Sequence, residues 1–234
     1  HTMTLLLAAS RRLLRYDQSC RSGRQWEYRN SLEAQEVHGK TILIVGFGRI
    51  GRKLASMAKA FGINISVFDP YLDPETLSAD VSIEDDLEDA FKRADFISFH
   101  MPPGEKPLLG RAEIASLRPN CVVLNAARGG IIDDAALAEA LRNERILGAG
   151  LDVFAQEPPG PDHPYHDVDT AILTPHSAGM SLECAERMAV QSVKNVLDHF
   201  SGCLASELVV NFEKIRKSEP VQVPFMENTN VHFS

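Results

Sequence analysis

Three residues suited to proton and carboxylate chemistry each follow an apolar run in this chain. Arg128 follows "CVVLNAA", Asp152 follows "ILGAGL" and His176 follows "AILTP", and Glu157 comes five residues after Asp152. An arginine binds a carboxylate through its planar fork of donors, and a histidine exchanges a proton near neutral pH. A neighbouring carboxylate would orient that imidazole and stabilise its charged form. The four residues are therefore candidates for an acid–base site that handles a carboxylate.

Each of these residues is also compatible with a purely structural role. Taken alone, His176 fits a buried histidine with a satisfied hydrogen bond, and Arg128 fits a surface residue after a strand. Glu157 fits a solvated loop acid, and Asp152 fits a helix or turn cap. Their shared position at the ends of predicted strands favours the chemical interpretation, because ligands of parallel sheets bind at the carboxyl ends of the strands.

The stretch "GFGRIG" places Gly46, Gly48 and Gly51 in the pattern GxGxxG, after the predicted strand "TILIV" and before a predicted helix. The first glycine permits a tight turn, the second lets the backbone approach a pyrophosphate, and the third lets helix and strand pack closely. The helix N-terminus offers free N–H groups, and Arg49 could add a charged contact. This context indicates a dinucleotide site.

Asp69 ends the next predicted strand, "NISVF", and precedes Pro70. An acid at this position hydrogen-bonds the adenosine ribose and repels a 2′-phosphate, which favours NAD over NADP. The alternative is that Asp69 only starts the turn at Pro70.

The order of elements predicts an α/β fold. Strands alternate with helices, which implies right-handed βαβ units and a parallel sheet. The remaining strands are predicted at "DFISFH", "CVVLNAA", "ILGAGLDVF" and "TAILTPH". Helices are predicted over residues 2–16, at "RKLASMAKAFG", at "SIEDDLEDAFKRA" with a Ser82–Asp85 capping box, at "AEIASLR", at "DDAALAEALRN" capped by Asp133 or Asp134, and over residues 181–200.

Composition excludes several function classes. The 234 residues carry a net charge of -8, which disfavours binding to nucleic acid, and no apolar run is long enough to cross a membrane. The four cysteines are far apart, which predicts free thiols in a reducing, cytoplasmic compartment. His163 and His166 have a metal-like spacing without a clear third ligand, so no metal is predicted.

Five motifs, "GFGRIG", "FDP", "NAARGG", "LDVFAQEPP" and "TPHSAG", occur in an order that resembles the cofactor domain of the D-isomer-specific 2-hydroxyacid dehydrogenases. That family includes phosphoglycerate, glycerate/hydroxypyruvate, lactate and formate dehydrogenases. The resemblance runs from His1 to about Asn211. It implies a Rossmann-type doubly wound parallel sheet, with a remnant of a second, substrate domain. It also implies that Arg128 binds substrate, that His176 is the general acid/base, and that Glu157 is its partner.

The resemblance further implies a set of cofactor contacts, with Asp152 reaching the nicotinamide amide and His100 beside the cofactor in a structural role. The predicted NAD-binding residues are Gly46, Gly48, Arg49, Ile50, Gly51, Asp69, Met101, Pro102, Ala126, Ala127, Asp152, His176 and Gly179.

By the same resemblance, residues 1–38 form an interdomain helix and connecting loop, and residues 39–180 the NAD-binding domain. Residues 181–211 return to the substrate domain, and residues 212–234 form a tail without counterpart. The first part of the family's substrate domain, which supplies a substrate loop and half of the cleft, has no counterpart here. Poor turnover is therefore expected, and a homodimer through the first helix is implied.

The function implied is NAD-dependent interconversion of a D-2-hydroxy acid and its 2-oxo acid, with hydroxypyruvate/glycerate or phosphoglycerate as the substrate type. Two alternatives remain open at this point. One is an NAD(H)-binding interaction module like the C-terminal-binding corepressors of the same family, and the other is a truncated, inactive fragment.

Overall fold

A computed structural model describes residues 1–23 and 29–212 of the chain. Its centre is a parallel sheet of seven strands in the order β3-β2-β1-β4-β5-β6-β7. The strands are β1 Thr41–Val45, β2 Asn64–Phe68, β3 Val81–Ile83, β4 Phe96–Phe99, β5 Val122–Asn125, β6 Gly148–Leu151 and β7 Ala171–Leu173. The order reverses between β1 and β4, which is where a doubly wound sheet opens a crevice for a ligand. The predicted fold class is therefore confirmed.

The described residues also form helices, some between the strands and others before or after them in the chain. They are α1 Thr2–Ser10, α2 Leu13–Arg21, α3 Arg49–Ala60, α4 Leu87–Arg93, α5 Arg111–Ser116, α6 Asp134–Arg142 and α7 Leu182–Phe200, with 3-10 turns at Pro74–Thr76 and Ser206–Leu208. Of the two caps predicted for α6, Asp133 is the one observed, since its side chain accepts the Ala136 N–H at 3.0 Å. None of the described helices combines the length and the hydropathy needed to cross a membrane.

Side chains of β1 alternate between two hydrophobic cores, one on each face of the sheet. Leu43 and Val45 pack into the core that also holds apolar residues of α4, α5 and α6. Ile42 and Ile44 pack into the core formed with α1 and α3. A central strand buried on both faces has an almost continuous apolar sequence, which explains why "TILIV" was readable as a strand.

Helix α1 packs directly on the sheet. A Cβ placed on Gly150 of β6 would lie 2.6 Å from the Cβ of Leu5, so the glycine leaves the space that α1 occupies. Leu5 and Leu6 are almost fully buried as a result.

Three sequence predictions about the elements were wrong. The single helix over residues 2–16 is two helices, because Arg12 takes a φ of 51°, a left-handed conformation in which a right-handed helix cannot continue. α2 then extends to Arg21, into the predicted loop. Ser82 does not begin a helix: it lies in β3, and Asp86 caps α4 by accepting the Asp89 N–H at 2.9 Å.

The chain divides into two compact units, His1–Gly179 and a second that begins at Met180. In the second unit, Ser181 caps α7 by accepting the Cys184 N–H at 3.1 Å, and the helix matches the one predicted over 181–200. The predicted domain boundaries stay predictions. The central part of the predicted connecting loop, residues 24–28, and the tail from residue 213 lie outside the described residues.

Candidate active site and cofactor site

The glycine-rich turn between β1 and α3 has two glycines that the fold requires and one that faces open space. Gly46 has a φ of 90°, and a Cβ there would lie 2.7 Å from the backbone oxygen of His100. A Cβ on Gly51 would lie 2.5 Å from the backbone oxygen of Gly46. Gly48, at the N-cap of α3, has nothing within 4 Å of such a Cβ. The turn thus leaves room for a pyrophosphate at a helix N-terminus, where free N–H groups favour anions.

Asp69 connects this turn to the end of β2. One carboxylate oxygen accepts the Phe47 N–H at 2.8 Å, and the other accepts the Tyr71 N–H at 2.9 Å. The residue therefore does start the turn at Pro70. A carboxylate oxygen has a second lone pair, so each can still accept a bond from a ribose hydroxyl.

Two adjoining cavities open at the carboxyl edge of the sheet and share His100, Met101 and Pro102. One of about 530 Å³ is lined by residues that include Gly46, Gly48, Phe68, Asp69, Pro70, Tyr71 and Leu108. The other, of about 280 Å³, is lined further by Ile50, Ala126, Ala127 and Arg128. Together they contain most of the predicted cofactor residues. Arg49, Gly51, Asp152, His176 and Gly179 line neither cavity.

His100 lines both cavities. Its burial lowers its pKa to about 4. Its Nε2 lies 2.8 Å from the hydroxyl of the buried Ser98. This arrangement fits the structural role implied for His100, since the ring carries no charge at neutral pH.

The turn that carries Arg128 is held by a buried amide. The Asn125 side chain donates to the backbone oxygen of Arg128 at 2.9 Å and accepts the Ala127 N–H at 3.1 Å. The guanidinium of Arg128 is exposed at the rim of the smaller cavity and donates to the Ala127 backbone oxygen at 2.6 Å. A charged group is thus presented beside the cavity by a fixed backbone.

Gly129 brings the Arg128 turn against the loop that carries Glu157. A Cβ on Gly129 would lie only 1.9 Å from the backbone oxygen of Phe154. Only a glycine permits this approach of two backbones. The two predicted catalytic loops are therefore in direct contact.

His176 and Glu157 form the hydrogen-bonded pair that the sequence predicted. Nδ1 of His176 lies 2.7 Å from a carboxylate oxygen of Glu157, and the other oxygen of Glu157 accepts the Phe154 N–H at 3.0 Å. The hydrogen bond from His176, and secondly that from Phe154, lower the pKa of Glu157 below its ordinary value. Both side chains are partly exposed, so the pair is open to solvent and to a ligand.

Asp152 fixes the turn on which His176 lies. Its carboxylate is fully buried and accepts the Thr174 hydroxyl at 2.5 Å and the backbone N–H groups of Ser177 and Ala178 at 2.9 and 2.8 Å. Its backbone oxygen accepts the His176 N–H at 2.8 Å. These bonds support a φ of 51° at His176, a strained value found at functional sites. These contacts show that Asp152 caps the turn that carries His176. The contact of Asp152 with the nicotinamide amide stays a prediction.

Sequence reasoning missed four residues that build this site. Asn125 and Gly129 lie in "NAARGG" and were given no role. For Asn125, a polar residue at the end of an apolar strand was a usable signal. Thr174 bonds Asp152, and Nε2 of His1 lies 3.0 Å from the Thr174 hydroxyl. The last contact joins residues 173 positions apart, so no local pattern could reveal it.

No metal site is found among the residues that the structure describes, where no group of three or more potential ligands comes together. His166 instead has Nδ1 2.8 Å from the Pro161 backbone oxygen. His163 packs between aromatic rings.

Comparison with known sequences identifies the family. The profile described as "D-isomer specific 2-hydroxyacid dehydrogenase, NAD binding domain" matches residues 3–178. The chain belongs to this family. The resemblance predicted from the five motifs is thereby confirmed, and so is NAD as the cofactor.

Curated relatives in the 2-hydroxyacid dehydrogenase family are dehydrogenases and reductases. D-3-phosphoglycerate dehydrogenase of Methanocaldococcus jannaschii is 42% identical over 231 residues, which cover 94% of this chain and 43% of that protein. Hydroxypyruvate reductase of Thermotoga maritima is 37% identical over 199 residues, covering 83% of this chain and 63% of that protein. The chain spans less than half the length of the phosphoglycerate dehydrogenases it matches.

A solved structure in the 2-hydroxyacid dehydrogenase family has the same fold. D-lactate dehydrogenase with NAD⁺ from Lactobacillus jensenii superposes with a TM-score of 0.74 at 26% identity, covering 86% of this chain and 64% of that one.

Removing the imidazole of His176 should raise the pKa of Glu157 toward its ordinary value. Glu157 has a lowered pKa chiefly because His176 donates to it, so His176→Ala removes the main cause. The ionised Glu157 carboxylate stabilises the folded state at pH values above its unfolded-state pKa. This stabilisation is lost as the pH falls through the lowered pKa of the folded state. A ¹³C NMR titration of the Glu157 carboxyl measures the change. An unaltered titration would show that the 2.7 Å hydrogen bond is not formed in solution.

Proposed function

We propose that this chain is the cofactor-binding part of an NAD-dependent dehydrogenase that interconverts a D-2-hydroxy acid and its 2-oxo acid. The observation that carries the proposal is the 2.7 Å hydrogen bond between His176 Nδ1 and Glu157, whose loop contacts the Arg128 turn at the rim of the smaller cavity. A histidine held through one ring nitrogen by a carboxylate keeps its other nitrogen for proton exchange.

His176 acts as the general acid/base. When the 2-hydroxy acid is oxidised, Nε2 of His176 takes the proton of the substrate hydroxyl, and in the reverse direction it returns that proton to the carbonyl oxygen. The carboxylate of Glu157 stabilises the imidazolium that forms and keeps the ring in orientation. Bound NAD⁺ supplies a hydride acceptor in the first direction, and NADH supplies the hydride in the second.

Arg128 binds the substrate carboxylate. Its guanidinium is exposed on a turn fixed by Asn125, at the rim of the cavity that Ala126 and Ala127 line. A planar guanidinium matches a carboxylate with two parallel hydrogen bonds and thereby orients the neighbouring carbonyl.

The glycine turn and Asp69 hold NAD. Gly48 leaves space for the pyrophosphate, and the Asp69 carboxylate at the end of β2 suits ribose hydroxyls and disfavours a 2′-phosphate. The proposed contacts of Arg49, Ile50, Met101, Pro102, Asp152 and Gly179 rest on the family resemblance.

The substrate type, assembly and location belong to the same proposal. Relatives named D-3-phosphoglycerate dehydrogenase and hydroxypyruvate reductase support a small hydroxy acid of the glycerate class. The resemblance supports a homodimer. All four cysteines lie within the described residues and form no disulfide, which supports a cytoplasmic location.

The proposal predicts that the chain consumes NADH in the presence of a 2-oxo acid. The chain is mixed in excess with NADH, so that slow transfer is still registered, and a panel that includes glyoxylate and hydroxypyruvate is added while NADH absorbance is followed. NADH should fall with at least one 2-oxo acid and stay constant with the matching 2-hydroxy acid. A chain that fails to bind NADH would contradict the proposal and favour an inactive fragment.

A further inference from the structure

A partly buried polar cluster lies next to the loop that carries Glu157. This Asp134 cluster consists of Asp134, His163 and Tyr165. The hydroxyl of Tyr165, which is almost fully buried, donates to Asp134 at 3.0 Å. Nε2 of His163 lies 3.8 Å from the other carboxylate oxygen of Asp134.

Asp134 does not cap the helix that it begins. The Asp133 side chain already accepts the N–H of Ala136 and so caps α6. The Asp134 carboxylate instead faces another segment, where it accepts the Tyr165 hydroxyl and lies 3.8 Å from His163. A partly buried carboxylate that is hydrogen-bonded to another segment holds the two segments together.

Partial burial of the Asp134 carboxylate has a desolvation cost, which its contacts with Tyr165 and His163 offset in part. Desolvation raises the pKa of Asp134, while the hydrogen bond from Tyr165, the charge of His163 and the Ala155 N–H oppose that rise; the like charge of Asp133 adds to it. Loss of the Tyr165 hydroxyl would leave the Asp134 carboxylate without this hydrogen bond, so a change at either residue weakens the cluster.

Two contacts connect the Asp134 cluster to Glu157. The Ala155 backbone N–H lies close enough to Asp134 to lower its pKa, and the His163 ring packs edge-on against Phe154 with 5.3 Å between centroids. The N–H of Phe154 then donates to Glu157 at 3.0 Å. The cluster thus packs against the backbone segment whose N–H bonds the carboxylate that pairs with His176.

We propose that Asp134 and Tyr165 are positioning residues that keep Glu157 within hydrogen-bonding distance of His176. The proposal rests on the proposed function, because it concerns the same acid–base pair. Neither residue contacts His176. Their effect passes through the loop backbone to Glu157 and so to the ring nitrogen that carries the proton.

The tautomer of neutral His176 tests this proposal. A ring whose Nδ1–H donates to Glu157 is protonated at Nδ1, and ¹⁵N chemical shifts of the ring report the share of that tautomer. The experiment compares the full chain with Tyr165→Phe, which removes one hydroxyl and no charge, and with Asp134→Asn. Glu157→Ala is the reference for complete loss. Asp167→Asn is the matched control, because Asp167 lies in the same loop but pairs at the surface with Arg142.

The Nδ1–H share should fall to less than half of its wild-type value in Tyr165→Phe and in Asp134→Asn, and it should not change in Asp167→Asn. Far-UV circular dichroism and NADH binding identify the variants that are folded, and either cluster variant suffices. A folded variant that keeps the wild-type share, while Glu157→Ala loses it, overturns the positioning role and leaves the proposed function intact. If Glu157→Ala also keeps the share, the His176–Glu157 pair of the proposed function fails.

Discussion

Replacement of His176 by asparagine should lower the rate of NADH oxidation by about 10²–10⁴-fold and leave NADH binding almost unchanged. A positioned general acid typically contributes a factor of this size, and asparagine cannot supply a proton. Asparagine is the best substitute for this position, because it tolerates the left-handed φ of 51° and can still donate to Glu157. The turn should therefore keep its shape while the proton donor is lost.

The rate is measured by NADH absorbance with the 2-oxo acid that the wild-type chain reduces fastest, and binding is measured by NADH fluorescence. The matched control is His199→Asn, since His199 is an exposed histidine of α7. Wild-type turnover in His176→Asn would exclude His176 as the acid/base.

Alanine at Gly46 and alanine at Gly48 should have different effects, although both weaken NADH binding. Gly46→Ala places a Cβ 2.7 Å from the His100 oxygen at a φ of 90°, so the fold itself should lose about 1–3 kcal/mol of unfolding free energy. Gly48→Ala meets no protein atom within 4 Å, so stability should be kept. The added methyl group occupies the space left for the pyrophosphate, and the NADH dissociation constant should rise by about tenfold or more, roughly 1.4 kcal/mol.

Thermal unfolding and NADH titration separate these two effects. Gly160→Ala is the control, because a Cβ there also has nothing within 4 Å and the residue lies away from the glycine turn. Wild-type NADH affinity in a stable Gly48→Ala variant would show that the dinucleotide does not bind at this turn.

The parts of the fold that were predicted from the sequence are those with local causes. β1 is apolar on both faces, and Gly46 and Gly51 are required by the close packing of the turn after it, so each could be read from a few neighbouring residues. The prediction of a helix start at Ser82 was wrong because strand pairing overrode a local pattern: Ser82 pairs with Ser66 of β2. Arg12 gave no local sign of its left-handed conformation.

The candidate site was predicted in its reactive groups and not in its supports. Arg128 and His176 could be named because they follow predicted strands closely, and the family resemblance implied their roles and that of Glu157 in the loop after β6. Gly129 and Asp134 could not, because their roles depend on the backbone of residues 154–155, which is distant in sequence. Supporting contacts of this kind appear only once the segments are packed together.

Transfer of deuterium from NADH to a 2-oxo acid would show hydride transfer by this chain itself. NADH that carries deuterium at the transferred position of C4 is mixed with the chain and the 2-oxo acid panel, and the product is examined by mass spectrometry and chiral chromatography. We expect one deuterium at C2 of a D-2-hydroxy acid, formed in proportion to the NADH consumed. NADH consumption without deuterium at C2, deuterium in the L-enantiomer, or bound NADH that reduces no member of the panel would contradict this expectation.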